Sequence, residues 1–358
     1  MRVGFGMRAF RSGLAASLVA GITFFGAGLV VPPAAAQTFI RSFGAGILNN
    51  PRDVTIDLAD GSKVYVADRL NAVVDVFSSG GVALTTIGNS MLGTPVGVAI
   101  DTARDNLIVT DQLDRQVVVF SATASSSTPP ILGITGADIG SPCGQFRFQQ
   151  PFGVAVDPGT DDIVVADATA DRVLVFSNMG ICIASFGGPG TAPGQFEGPA
   201  GVAIDPTNGD ILVAEQTNKR VQVFAGIRAP GGIAFKQTLG AGILLQPARV
   251  VVDAEHGGNI LVSDQMLDEI LVFSPAGALL GTIGGTGRFG SPGGMAFDTV
   301  NGNNLVVVDV AKNQIDVFGD SFAPVPALGG WALLLSALLL GGIGWRAVDR
   351  SGTPKRLG

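Results

Sequence analysis

Histidine and cysteine, the side chains that most often carry zinc chemistry or nucleophilic catalysis, are nearly absent from this chain. It holds one histidine, His256, and two cysteines, Cys143 and Cys182, in 358 residues. A zinc centre draws several ligands from those two types, and a nucleophilic triad needs a histidine base, so neither is expected. His256 falls in a turn, residues 254–258, where an exposed position is expected. Acids are plentiful and recur in register. One series reads Asp57, Asp101, Asp157, Asp205, Asp253 and Asp298; a second reads Asp68, Asp111, Asp167, Glu215, Asp264 and Asp309. Clustered carboxylates are the one feature that could hold Ca²⁺, which prefers oxygen ligands. Their strict recurrence argues for duty inside a repeat, because an aspartate at a strand end bonds the amides of the following turn. Arg172 and Arg220, five residues after Asp167 and Glu215, add ion-pair partners. No cofactor is expected, and Ca²⁺ is the alternative.

The elements that carry these acids are short strands. Residues 151–176 open with Pro151, run through apolar residues to Asp157, turn, run apolar again to Asp167, turn, and close on Phe176. Runs of four or five β-branched residues bounded by Gly, Pro, Asp or Asn are strands, too short for helices. The unit recurs six times. It opens at Pro51, Pro95, Pro151, Pro199, Pro247 and Pro292 and closes at Phe77, Phe120, Phe176, Phe224, Phe273 and Phe318. A period of roughly 40–50 residues with several strands per repeat predicts a β-propeller. A composition of 47% hydrophobic and 14% charged residues fits a fold of buried strands.

The repeat resembles the NHL family, whose members build six-bladed propellers. Proline, glycine, three apolar residues and aspartate, then Ala-Asp, then Arg-Val-x-Val-Phe stand most fully in 151–176 and, with glutamate for the second aspartate, in 199–224. The expected fold is all-β, a six-bladed propeller over residues 37–319. Fourth strands are expected at 83–88, 131–135, 181–187, 235–240 and 279–284. None follows Phe318, whereas residues 39–44 match 183–187; the N-terminal strand should therefore complete the last blade and remove two open edges. The shortage of histidine and cysteine removes the amidating-lyase type of NHL propeller and the histidine-dependent lyases built on propellers. In propeller geometry Cys143 enters blade three at the top while Cys182 opens an outer strand near the bottom. A six-residue strand spans ~20 Å, more than a disulfide tolerates, so the two are expected to stay unpaired although export would permit a bridge. The insertion around Cys143, residues 121–150, is rich in Ser, Thr and Pro and reads as an exposed, mobile loop.

Function is sought where the repeat breaks on the top face, around the channel mouth. The slot two residues after each proline holds Gly97, Gly153, Gly201 and Gly294 in four blades, but Asp53 in blade one and Arg249 in blade five, with Arg52 and Phe152 beside it. The slot after each second-strand acid holds Arg69, Gln112, Ala168, Gln216, Gln265 and Val310. Arg52, Asp53, Arg69, Gln112, Phe152, Gln216, Arg249 and Gln265 are the candidate ligand-binding residues. Asp53 and Arg249 are close enough around the ring to pair. Because four blades carry glycine there, Arg249→Gly is expected to spare folding and weaken ligand binding.

Both ends carry address signals. Residues 1–36 combine Arg2, Arg8 and Arg11 with a long apolar run and Ala34-Ala35-Ala36, a signal peptide cleaved between Ala36 and Gln37. After a 320–326 linker, residues 327–345 form an uncharged run of ~28 Å, enough for a transmembrane helix, and the basic tail 346–358 places its end in the cytoplasm. Pro326, Trp331 and the basic residues from Arg346 resemble the IPTL-CTERM type of sorting signal of Gram-negative bacteria. That resemblance implies an inner-membrane stage, cleavage by a sorting protease, and delivery to the cell surface or beyond. With 29 acids against 22 bases and no basic stripe, nucleic acid is not an expected partner. The expected protein is a monomeric, non-enzymatic binding module for a protein or polysaccharide. A Ca²⁺-dependent lactonase-like hydrolase and a structural matrix component are the alternatives.

Overall fold

Six four-stranded antiparallel sheets radiate around one axis, as the repeat predicts. The computed structural model describes residues 37–137, 141–284 and 287–319. The expected signal peptide with Ala36, the expected linker, the run 327–345, the tail, Pro326, Trp331 and Arg346 lie outside those residues, while Gln37 begins them. Among the described residues no helix is long and apolar enough to cross a membrane.

The innermost strands are Pro51–Asp57, Pro95–Asp101, Pro151–Val156, Pro199–Ile204, Pro247–Asp253 and Pro292–Asp298. Each starts at the top, where its proline opposes the acid that ends the second strand, as Pro51 opposes Asp68 and Pro247 opposes Asp264. Second and third strands are buried along nearly their whole length because both faces meet a neighbouring blade. That explains their unbroken apolar runs, where a half-exposed sheet would alternate. Phenylalanines fill the clefts between blades: Phe186, Phe196 and Phe224 pack with centroids 5.0–6.0 Å apart.

The ring closes as the sequence requires. Phe39–Phe43 pairs antiparallel with Gln314–Phe318, setting Phe39 against Phe318 and Phe43 against Ile315. Side chains fasten the seam. Ser42 donates to Asp316 at 2.5 Å, and Arg288, 3.2 Å from the same carboxylate, lies over the Phe39 ring at 3.6 Å.

Both acid series serve the blades. The first caps the bottom turns: the amides of Ala59, Ala103, Gly159, Thr207, His256 and Asn301 donate to Asp57, Asp101, Asp157, Asp205, Asp253 and Asp298. The second ties down the top loop entering the same blade, as in Asn49 to Asp68, Gly93 to Asp111, Gln150 to Asp167 and Leu245 to Asp264. The expected ion pairs form, Arg172 with Asp167 at 3.5 Å and Arg220 with Glu215 at 2.6 Å.

Three expectations need correction. Cys143 and Cys182 form a disulfide with Cα atoms 6.1 Å apart. The insertion does not run directly to the top of blade three. A two-residue hairpin pairing Gly136–Ala137 with Phe146–Arg147 folds it back along that blade's flank. Phe146 and Phe148 there pack on Phe176, whose strand partner is Cys182. Nor is the segment wholly an exposed loop. Ala122 and Ala124 are buried, and the Tyr65 hydroxyl of blade one donates to the Ala122 carbonyl at 2.9 Å. His256 is half-buried rather than merely exposed, its Nδ1 2.8 Å from Asp253 and 3.3 Å from Asn303 of blade six.

Two buried acids break the pattern at one third-strand position, Asp75 in blade one and Asp316 in blade six. In the third strand of blade one, Val73–Phe77, Asp75 stands where blades two, three and five carry Val118, Leu174 and Leu271. It shares a hydrogen bond with Asp68, and its Oδ2 has no partner. Burial first, and the Asp68 carboxylate second, push the Asp75 carboxyl up to about 7. Blade four resolves the same position differently: Gln222 donates its amide to Glu215 at 2.7 Å.

Candidate functional site

The channel mouth is built by close approach of inner strands. A β-carbon on Gly153 would lie 2.3 Å from the Ala200 carbonyl oxygen, and one on Gly97 2.3 Å from that of Phe152. Glycine in those slots is a packing requirement, since the next blade's backbone occupies the space a side chain would need. Asp53 and Arg249 can occupy theirs because both side chains turn toward the axis.

Arg249 crosses the mouth from blade five. Its Nε lies 3.1 Å from the Asp53 carboxylate of blade one. One Nη donates to the Val96 carbonyl of blade two at 2.6 Å, and the other to the Ala248 carbonyl at 3.2 Å. The guanidinium carbon sits 4.7 Å from the centre of the Phe152 ring of blade three. Both partners of the ion pair are buried, Arg249 at 5% and Asp53 at 6% exposure. Burial raises the Asp53 carboxyl, opposed by Arg249 and by the amides of Val54 and Val98. The pairing anticipated from the slots therefore forms, but Arg249 is a plug across the top of the channel and not a solvent-facing cation. With Arg249 buried against Asp53, Arg249→Gly is now expected to leave that carboxylate without its cation and to cost stability.

Beneath the plug lies a cavity of about 300 Å³ whose walls are apolar or small, among them Thr55, Ala99, Ala155, Ala203, Val251 and Ala296. No carboxylate other than Asp53 lines it. Among the described residues no group of three or more His, Cys, Asp and Glu stands close enough to hold a metal ion. The recurrent acids are held by turn and loop amides instead, so the donor set for Ca²⁺ in this channel is poor.

Above the plug, Arg52 is half-buried, its Nε donating to the Asn50 side chain at 2.9 Å. Asn50 is itself fixed, its amide donating to the Asn313 side chain of blade six at 2.7 Å. Arg69 stands beside it, half-buried, with no ion pair or hydrogen bond from its guanidinium among the described residues. Burial, then Arg69, then Arg249 push the Arg52 guanidinium down to about 10. Five of the eight candidate residues thus converge: Arg52, Asp53, Arg69, Phe152 and Arg249. The three glutamines do not join them. Gln216 and Gln265 stay on their own blade rims, anchored through backbone bonds to Gly198 and Gln246. Gln112 lines a separate top-face cleft of about 500 Å³ between blades two and three with Leu113, Arg115, Gln149, Gln150 and Thr169. That cleft went unnoticed in the sequence, because Gln149 and Gln150 belong to the insertion and have no counterpart in the repeat.

Comparison with known proteins agrees with this architecture. The family model described as NHL repeat matches residues 196–224. No curated protein matches the chain. Among solved structures, a proposed gluconolactonase superposes with a TM-score of 0.62 at 15% identity over 80% of this chain and 93% of its own. A catalytically inactive virginiamycin B lyase from Staphylococcus aureus, determined with quinupristin, gives 0.53 at 12% identity over 76% and 80%. A chain of a nidogen–laminin complex gives 0.54 at 17% identity over 70% and 85%. Two are enzymes by description and one is an assembly partner, so at these identities the likeness establishes the fold alone: the chain is a six-bladed β-propeller containing an NHL repeat.

Proposed function

We propose that this protein is an exported, surface-directed propeller that binds a polar ligand or partner on its top face without chemically converting it. The observation that carries the reading is the guanidinium of Arg249 lying across the channel mouth. A propeller hydrolase works with acids or amides that reach a ligand at the axis. Here the one carboxylate lining the channel cavity, Asp53, is buried and paired with an arginine, and the two recurrent acid series hold turns and loops. The chemistry left to the top face is recognition: guanidinium groups, amides, and exposed apolar residues such as Leu70 and Leu113. Export and surface delivery rest on the two terminal sequence signals.

The test sets binding against turnover. The full chain is applied to glycan and extracellular-protein arrays, and separately incubated with aliphatic and aromatic lactones with and without Ca²⁺. A retained ligand with no lactone hydrolysis above background supports the reading. Ca²⁺-dependent hydrolysis would overturn it in favour of a lactonase-type enzyme. Neither binding nor hydrolysis would leave a structural component of an extracellular matrix.

A further inference from the structure

The molecule carries seven more negative than positive charges, yet its channel mouth gathers three guanidinium groups around one carboxylate. Arg249 neutralises Asp53, so Arg52 and Arg69 remain as two net charges side by side. Like charges at a half-buried site disfavour one another, and burial first, then Arg69, lower the proton affinity of Arg52. The Arg52 side chain and the backbone beneath Arg69 are held in place. Arg52 is oriented through Asn50, which is fixed across the blade-six seam by Asn313. Arg69 follows Asp68, whose carboxylate accepts from the amides of Asn49 and Asn71. Because Pro51 opposes Asp68, Arg52 and Arg69 stand at one end of the same strand pair; two neighbouring guanidinium groups, one oriented by Asn50 and one without a hydrogen bond, with no acid assigned to them among the described residues, have the form of an oxyanion receptor.

We infer that Arg52 and Arg69 form an anion-binding site at the top mouth, taking a carboxylate, sulfate or phosphate group presented by a larger polar ligand. This rests on the top-face binding reading and names the chemistry that face selects. Arg249 lies behind the site as a buried positive charge already paired with Asp53. Phe152 lies under the Arg249 guanidinium at 4.7 Å, and Leu70, exposed, follows Arg69 in the chain.

Titration calorimetry and thermal melting of the full chain test the inference. The probes are inorganic phosphate, inorganic sulfate and a trimer of galacturonic acid, with maltotriose as the neutral control and chloride at matched ionic strength. The variants are Arg52→Gln, Arg69→Gln and both together, with Arg228→Gln, exposed on the opposite side, as a control. At least one oxyanion is expected to bind the wild type above the chloride control. Each mouth variant should lose about tenfold or more in affinity, and Arg228→Gln should lose nothing. Without ligand, the mouth variants should melt at or above the wild-type temperature, because they relieve repulsion. Phosphate binding without trimer binding would assign a phosphate ester as the group recognised; the reverse would assign a carboxylated sugar. The inference falls if no oxyanion binds, if binding survives the double variant, or if the single variants melt well below wild type without ligand. A neutral glycan held equally by wild type and double variant would also sink it while leaving the binding reading intact, whereas Ca²⁺-dependent turnover would sink that reading itself.

Discussion

Replacing Arg249 by methionine removes one charge while keeping most of the apolar stem that crosses the mouth. The Asp53 carboxylate then stays buried at 6% exposure with only the Val54 and Val98 amides, at 3.1 and 3.4 Å, to hold its charge. Breaking a buried ion pair from one side costs about 3–5 kcal/mol. A second route sets a ceiling, because Asp53 can take up a proton instead. Protonating a carboxyl of ordinary pKa ~3.9 costs ~4 kcal/mol at pH 7 and only ~1.5 kcal/mol at pH 5. The loss should therefore be about 4 kcal/mol at pH 7 and shrink to about 1.5 kcal/mol at pH 5, read by denaturant unfolding or as melting shifts of ~8–16 °C and ~3–6 °C. The double variant Asp53→Asn/Arg249→Met leaves no buried charge and should recover most of the loss, a coupling visible in a double-mutant cycle. A single variant as stable as wild type at pH 7, an equal loss at both pH values, or a double variant that recovers nothing would refute the plug.

Asp75→Asn should stabilise the protein with a definite pH signature. The folded carboxyl titrates near 7 and the unfolded one near ~4, so the stability gained by folding the protonated acid is present at low pH and lost as pH rises through 7. The full shift corresponds to about 4 kcal/mol, which partial solvation reduces to ~1–2 kcal/mol. Wild type and variant should match at pH 4 and diverge by that amount at pH 8; a constant difference would refute the shared proton. Beginning the chain at Asn49 removes the strand Phe39–Phe43 and exposes the edge of Gln314–Phe318; melting unchanged from the intact ring would contradict closure by that strand. Reduction of Cys143–Cys182 releases a 39-residue separation and should cost up to ~4 kcal/mol, with loss of protease resistance confined to the insertion. Fractionation of the native host should recover the mature chain outside the inner membrane without residues 1–36 and 327–358; full-length protein in the inner membrane would favour a plain anchor.

The blades were legible because each strand is a short β-branched run between glycine, proline and aspartate, and because a missing outer strand at one end had its match at the other. The pairing of Asp53 with Arg249 was legible from two broken glycine slots on near-neighbouring blades. What the slots did not convey was depth. Sequence spacing places a residue around the ring, but only the close approach of the inner strands, 2.3 Å from a glycine's missing β-carbon to a carbonyl, decides whether a side chain there meets solvent or the axis. The disulfide escaped because residues 121–150 lie outside the repeat, so periodicity says nothing of their path. Asp75 did leave a signal: an acid inside the apolar run 73–77, at the position where Gln222 and Asp316 also interrupt theirs. Each marks a third strand whose polar residue faces the preceding loop or the second-strand acid.

The seam between Phe39 and Phe318 also decides how the ring can be hung. Both strands meet there at the lower rim of blade six, where the Gly319 amide donates to the Thr38 carbonyl at 2.8 Å. Chain continuing in either direction leaves from that one rim, opposite the face on which Arg52 and Arg69 open. A tether fused to either end therefore suspends the propeller like a bell from its underside and turns the arginines away from the point of attachment. Immobilisation through the N-terminus and through the C-terminus should give sensor surfaces of equal ligand capacity, whereas attachment through Leu113 on the upper rim should mask the mouth.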